Sequence, residues 1–350
     1  MSLSNVPSQK DPVEFNGVIS QPYEIFYMKS ENHNIQIDSS LIKSLNIFSK
    51  SLQMYIKKYN IKDFDYSKFG RIKNIGGGGS ARVFSAICHG KKYALKNLNN
   101  YLFMDKKTFK KLCSELKHLA KTHHPNIIKL YGTSRDPLTG GFMLVLQFAN
   151  GGTLREYLQN KHSNELFKIK WAELIRIAKE ITDGLNYLHS KNIIHLDLHS
   201  KNILINNGKA LIADFGISKN LDDITSSSTT TQGVVAYTDP QYLLNGKEFK
   251  RNKKSDVYSL GVLFWELTSG VPPFRNLTSM KKMLEIANNN REKIITGTPK
   301  NYSSLFERCW SSDPNQRPTV DKILVELEKL SLEIKVKFIK NNIQNSNKRF

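Results

Sequence analysis

His195-Leu196-Asp197-Leu198-His199-Ser200-Lys201-Asn202, followed shortly by Asp214-Phe215-Gly216, is the stretch from which the rest of the chain is placed. It sets an Asp and an Asn on one loop. A second Asp follows across a short hairpin read as Ile203-Leu204-Ile205, Asn206-Asn207-Gly208 and Ala210-Leu211-Ile212-Ala213. Such an arrangement suits phosphoryl transfer. One carboxylate orients a hydroxyl and takes its proton, while an amide oxygen and the other carboxylate hold Mg²⁺ against nucleotide phosphates. An Asp-Phe-Gly tripeptide alone is an ordinary turn, but the ordered pair of motifs between strand patterns is specific.

Upstream, Phe69 to Ile75 reads as a strand, Gly76 to Gly79 as a turn, and Phe84 to Cys88 as a second strand. Glycines between two strands let backbone N–H groups approach phosphate oxygens with no Cβ in the way. No Gly-Lys-Ser/Thr closes the run and a strand follows it, which excludes a Walker A loop. Tyr93-Ala94-Leu95-Lys96 forms a third strand, and the helix expected from Lys106 to Lys121 carries Glu115 nineteen residues after Lys96. Phe142 to Leu146 is a buried strand, and Trp171 to Asn192 has helical periodicity through Leu174, Ile177, Ala178, Ile181, Leu185 and Leu188.

In these motifs the chain resembles the eukaryotic protein kinases, whose signature is H-R-D-L-x-x-x-N followed by D-F-G. The resemblance covers about residues 69 to 330, closest to the tyrosine-kinase-like and tyrosine kinase groups. It implies an α+β, two-lobed protein kinase fold, with a small β-rich N-lobe (69–149) carrying one helix and a larger α-helical C-lobe (150–330). By resemblance Asp197 is the catalytic carboxylate, Lys96 pairs with Glu115 and holds the phosphates, and Asn202 and Asp214 ligate Mg²⁺. Lys201 stands where receptor-type tyrosine kinases have Arg. ATP would lie among Ile75, Gly76, Gly78, Val83, Ala94, Lys96, Leu146, Gln147, Ala149 and Leu204, while Leu119, Leu130, His195 and Phe215 would stack as the column of an active kinase. The implied function is intracellular transfer of the γ-phosphoryl group to protein Ser or Thr, with Tyr less favoured; the alternative is a pseudokinase scaffold that binds without turnover.

Several positions depart from that pattern. Ala81 replaces the third loop glycine, Leu196 the usual Arg, His199 the Lys of Ser/Thr kinases, and Val234 a Thr. Asp239-Pro240-Gln241 replaces Ala-Pro-Glu, so Gln241 is expected to lose the ion pair with Arg317 and leave the anchor looser. The polar run Thr225 to Thr231 lies in the activation segment and is a candidate for autophosphorylation.

The 350 residues suffice for about two globular units. The net charge of +21 invites a nucleic-acid or acidic-membrane partner, yet the Lys and Arg are spread without an aromatic-interleaved basic block, so a nucleic-acid partner is not expected. Thr153, where some basophilic kinases carry a substrate-reading Glu, together with the charge favours acidic substrates. Cys88, Cys113 and Cys309 suggest neither a disulfide framework nor a zinc site. No signal core or membrane span is expected, and the protein should be cytoplasmic and soluble. Residues 1–38 read as irregular and 331–350 as a basic, fraying tail. Leu41, Leu45, Phe48, Leu52, Tyr55 and Tyr59 mark an amphipathic helix over 39–60, expected to dock on the following domain, with a partner protein as the other candidate.

Overall fold

The computed structural model describes residues 50–78, 81–98, 106–137, 141–215, 218–220, 235–333 and 336–342. Gly79, Ser80, Gly216, Val234, the run Thr225 to Thr231 and residues 1–49 and 343–350 lie outside them.

The described part of the first helix, α1, covers residues 50–58. A six-stranded sheet follows, built from β1 (Asp63–Phe64), β2 (Gly70–Gly78), β3 (Ala81–Cys88), β4 (Lys91–Leu98), β5 (Leu130–Arg135) and β6 (Phe142–Gln147) in the order β1-β5-β6-β4-β3-β2. All its pairings are antiparallel except β1 with β5. The sheet therefore starts upstream of the expected lobe boundary, with Asp63 and Phe64 beside Thr133 and Ser134. Helix α2 (Lys106–Lys121) lies between β4 and β5 along the chain. Its apolar stripe places Leu112, Leu116 and Leu119 in the core, and the turn-wise spacing carries Glu115 inward with them.

The helical half comprises α3 (Leu154–Gln159), α4 (Trp171–Ser190), α5 (Pro240–Asn245), α6 (Lys253–Ser269), α7 (Ser279–Ala287), α8 (Lys300–Cys309) and α9 (Val320–Glu333). Helix α6 has apolar residues on every side and is buried from Ser255 to Ser269, as expected of a helix at the centre of a large core. It ends at Gly270, whose φ of +71° closes the helix; a Cβ there would meet the Phe167 ring at 2.2 Å. The most apolar run of the sequence is thus a core helix, and no helix among the described residues is long and apolar enough to cross a membrane. The hairpin read from sequence forms as β10 (Ile203–Asn206) and β11 (Lys209–Ile212), turning at Asn207 (φ 48°) and Gly208 (φ 77°). Short strands β9 (Ile193–Ile194) and β12 (Lys219–Asn220) pair with each other beside the loop that begins at His195.

One expectation about the ends changes. The tail does not simply fray: β13 (Phe338–Asn342) pairs with β8 (Leu166–Lys170), which also pairs with β7 (His162–Ser163). The gain comes from Ile339, 1% exposed, and from Asn341, whose side chain donates to Ser269 O at 2.8 Å. At the other end, the described part of α1 packs on the domain. Leu52 is fully buried in the cluster that contains Leu112, Leu116 and Leu119, and Lys121 lies 5.6 Å from the Tyr59 ring centre.

Candidate active site

Lys96 sits on β4, between β3 and β6, which fixes its backbone on both sides. Its ammonium donates to Glu115 Oε1 at 2.7 Å and to Asp214 Oδ1 at 3.1 Å. Burial alone would lower the Lys96 pKa, but the two carboxylates more than offset it and hold the ammonium charged. One cation thus joins β4, α2 and the segment after β11. Asp214 remains half exposed, with its backbone in the left-handed region (φ 63°), an uncommon geometry for a non-glycine residue that aims the side chain back toward Lys96.

The catalytic loop is tied to the centre of the core. Asp256, fully buried on α6, accepts the backbone N–H groups of His195 (2.9 Å) and Leu196 (2.8 Å), with His189 Nε2 at 2.8 Å. Burial would raise its pKa, but the hydrogen bonds and the neighbouring imidazoles bring it below the ordinary value, so Asp256 is an anion at neutral pH. Leu196, at the position usually held by Arg, adopts φ 67° to allow this double contact. His195 Nδ1 accepts the Asp197 N–H at 3.3 Å, so Nε2 carries the proton donated to Ala213 O at 3.1 Å. Its ring lies 5.4 Å from that of Phe215, and Leu119, Leu130 and Phe215 share one hydrophobic cluster.

Asn202 donates its amide N–H to Asp197 O (2.9 Å) and to Oδ2 (3.3 Å). Burial, reinforced by the charge of Asp214, raises the Asp197 carboxyl to about 6. A group that must be ionised to take a proton then loses that ability as pH falls through its own pKa. The acid limb of kcat/KM is expected to fall with an apparent pKa of about 6; a pH profile flat through that region would refute it. His199 was noted in the sequence only as a replacement. In the structure its Nε2 stands 3.6 Å from Asp197 Oδ1 and its Nδ1 accepts the Lys201 N–H at 3.2 Å. Burial lowers its pKa to about 4, so it is neutral there. Lys201 itself is exposed, and its ammonium is not brought into contact with Asp197.

With its amide nitrogen committed to Asp197, Asn202 has its oxygen to offer, and Asp214 adds carboxylate oxygens. These are hard ligands that fit Mg²⁺, which takes one or two protein oxygens and completes its shell with water and phosphate. Among the described residues no group of three His, Cys, Asp or Glu could hold a metal ion.

Of the expected adenine-lining residues, Val83, Ala94 and Leu146 lie on the interior strands β3, β4 and β6, and Leu204 lies on β10. Val83 pairs with Lys96, Ala94 with Leu146, and Leu204 bridges to Thr153. Ala94 is 9% exposed, while Val83, Leu146 and Leu204 are half-buried and Gln147 and Ala149 follow on the connecting segment. Ile75 is 47% exposed on β2, an apolar residue at the strand's loop end. Next to it Gly76 (φ 153°) and Gly77 (φ 154°) take geometries other residues avoid; a Cβ on Gly77 would lie 2.6 Å from Ala81 O. Gly78 pairs with Ala81, the residue replacing the third glycine.

The anchor below the activation segment differs from expectation. Arg317 does not lose its ion pair: both of its terminal nitrogens reach Asp239, at 2.6 and 2.9 Å, and both side chains are fully buried. Gln241 instead donates to Ser312 O at 3.0 Å. The carboxylate has moved two residues along the chain, because the Asp239 that caps α5 points at the same guanidinium. A second buried network was not visible in the sequence. Arg155 Nε donates to Glu266 Oε1 (2.6 Å) and Ser200 Oγ (3.0 Å), and its terminal nitrogen to Tyr237 Oη (2.9 Å).

Comparison with known proteins agrees with this geometry. Residues 69–327 match the family described as protein tyrosine and serine/threonine kinase. The dual specificity protein kinase pyk3 of Dictyostelium discoideum is 33% identical over 282 residues, covering 80% of this chain and 20% of that protein. Arabidopsis thaliana serine/threonine/tyrosine-protein kinase HT1 is 32% identical over 218 residues, 62% of this chain and 54% of its own. Human mitogen-activated protein kinase kinase kinase 7 is 30% identical over 272 residues, 76% of this chain and 42% of its own. The chain therefore spans between 20% and 54% of these relatives' lengths. The match runs through the Lys96–Glu115–Asp214 and Asp197–Asn202 elements, and the chain belongs to the protein tyrosine and serine/threonine kinase family.

Proposed function

We propose that this chain is an active ATP- and Mg²⁺-dependent protein kinase that phosphorylates Ser or Thr, with Tyr as a secondary acceptor, and works inside the cell. The observation that carries the reading is the Lys96 ammonium joined to Glu115 at 2.7 Å and Asp214 at 3.1 Å, on the same cleft as Asp197 and Asn202. The acceptor hydroxyl lies against Asp197, which orients it and takes its proton as oxygen attacks the γ-phosphorus. The bond from that phosphorus to the β-bridging oxygen breaks and ADP leaves. Lys96 holds the α- and β-phosphates in line, and Asn202 and Asp214 would hold Mg²⁺, which neutralises the charge on the phosphate oxygens. Dual-specificity and Ser/Thr names among the relatives support both acceptor classes. Free, buried Cys88, Cys113 and Cys309 accord with a reducing compartment.

A scaffold without turnover would be expected to have broken one of the five groups just named. None is broken. A separate partner at the 39–60 helix would have to use its outer face, where Met54 is 72% exposed. The test is phosphate incorporation from labelled ATP with Mg²⁺ into the chain and a mixed Ser/Thr/Tyr peptide pool. Incorporation should fall by about 10²- to 10⁴-fold in Asp197→Asn, the usual contribution of a positioned base. Phosphoamino-acid analysis should give phosphoserine and phosphothreonine in excess. A folded, nucleotide-binding wild type that transfers nothing would establish the scaffold instead.

A further inference from the structure

We propose that His199 is a further positioning residue of the transfer reaction: its imidazole Nε2–H closes onto Asp197 Oδ1 when substrates fill the cleft, and with Asn202 on Oδ2 it sets the direction in which that carboxylate meets the acceptor hydroxyl. The inference rests on the kinase reading and adds one group to the site of Asp197. The chain fixes the ring from several sides. Its Nδ1 accepts the Lys201 N–H at 3.2 Å, its own carbonyl accepts the Asn202 N–H at 2.8 Å, and its ring centre stands 6.0 Å from that of Tyr237. Tyr237 is itself a fixed wall, because its hydroxyl donates to Glu266 and accepts from Arg155 at 2.9 Å. Only 10% of the His199 side chain meets solvent.

These contacts decide which nitrogen carries the proton. An Nδ1 that accepts a hydrogen bond has none, so the ring is neutral and Nε2 is the donor. Turning the ring over would break the bond from Lys201. The Nε2–H has Asp197 Oδ1 before it at 3.6 Å. That gap exceeds the usual N–H to oxygen range of about 2.7 to 3.2 Å. Among the described residues neither His199 Nε2 nor Asp197 Oδ1 makes a hydrogen bond, whereas Asp197 Oδ2 accepts the Asn202 amide at 3.3 Å. A donor and an acceptor thus face each other slightly too far apart, on a loop whose neighbouring groups are bonded. Catalytic hydrogen bonds are commonly long without substrate and tighten in the reacting complex. A carboxylate held at both oxygens no longer swings about its Cβ–Cγ bond, and each oxygen keeps a second lone pair for the hydroxyl proton. Such restraint matters, since displacing a reacting group by about 1 Å can cost about 10²-fold in rate.

The experiment is steady-state kinetics of the full chain with labelled ATP, Mg²⁺ and a Ser peptide, comparing wild type with His199→Ala, His199→Asn and His199→Gln. Gln carries an N–H close to the place of Nε2 and nothing at Nδ1. Asn carries an oxygen close to the place of Nδ1, keeping the Lys201 contact, and does not reach Asp197. His199→Ala should lower kcat by about 10- to 100-fold with KM for ATP within about 3-fold of wild type. His199→Gln should recover most of that loss and His199→Asn none of it. An Asn variant as fast as the Gln variant would show that the ring serves the loop through Nδ1, and the proposal would fall. It would fall equally if Gln were as slow as Ala, if Ala kept kcat within about 2-fold, or if the loss lay in KM alone. Should the variants not fold, spectra of wild type with ¹⁵N-labelled histidine decide: His199 is expected as the Nε2–H tautomer, with a proton signal that shifts when ATP, Mg²⁺ and peptide are added. The other tautomer, or a signal indifferent to substrates, would overturn the proposal. Transfer by wild type in any of these cases leaves the kinase reading standing; absence of all transfer by wild type removes that reading first.

Discussion

Lys96→Met is expected to lower kcat/KM for phosphoryl transfer by about 10²- to 10³-fold, the range for removing one preorganised charge from a site where negative charge is handled. The same change should also destabilise the fold. Glu115 is 3% exposed, and without Lys96 it keeps only the repulsive neighbour Asp214. Breaking a buried pair from one side costs about 3–5 kcal/mol. Glu115 limits the loss by taking up a proton, since burial already pushes its pKa upward. The sign follows from that raised value: the penalty is small below the ordinary Glu pKa and grows as pH rises through it. Glu115→Gln in the Lys96→Met background should restore part of the stability and none of the transfer. Thermal melts of the two variants across pH, beside peptide kinetics, separate the effects. A Lys96→Met protein with transfer within a few-fold of wild type would refute the role proposed for this lysine.

The second large effect concerns the anchor. Asp239→Asn should destabilise the protein by about 3–5 kcal/mol, because Arg317 is fully buried and both of its bonds to Asp239 are charge-assisted. The remaining partners, Ser311 O at 2.9 Å, Lys254 O at 2.9 Å and the Tyr258 ring 5.3 Å away, solvate the guanidinium without cancelling its charge. Asp239 also caps α5 through the Gln241 N–H at 3.0 Å, a contact that Asn would keep. Gln241→Glu, which restores the family's usual residue, should bring no gain. Its new carboxylate would find Arg317 already paired and would lose the bond to Ser312 O. Denaturant melts of the two variants decide the matter: a stabilising Gln241→Glu with a neutral Asp239→Asn would show that the anchor runs through residue 241 after all.

The contrast between these two sites shows where sequence reading works on this chain. Lys96 and Glu115 were legible because Tyr93-Ala94-Leu95-Lys96 resembles a family motif and Glu115 lies in a helix of regular apolar period. Their pairing was implied by the resemblance to the protein kinases, and the structure brings the two groups to 2.7 Å. The hairpin at Asn207-Gly208 was equally plain, since few sequences satisfy two consecutive positive φ angles. The same holds for the catalytic loop, whose Asp and Asn are close in sequence and so remain close in space.

The carboxylate that neutralises Arg317 was not legible in that way. Asp239 and Gln241 are two residues apart, and which of them faces a guanidinium 78 residues away depends on how α5 begins against α6. The pairing of Arg155 with Glu266 spans 111 residues and has no local signature at all. Residues 338–342 do alternate in burial, but a single fully apolar inward residue, Ile339, is too weak a pattern to announce a strand until β8 supplies an open edge. The sequence by itself determined the local elements, because period, turn chemistry and short spacing are local properties, and through the resemblance of its motifs it implied the two-lobed architecture and the residues available for phosphoryl transfer. Only the tertiary structure decided which buried charges neutralise one another, because Coulomb energy depends on distance and burial in space, and neither is encoded by separation along the chain.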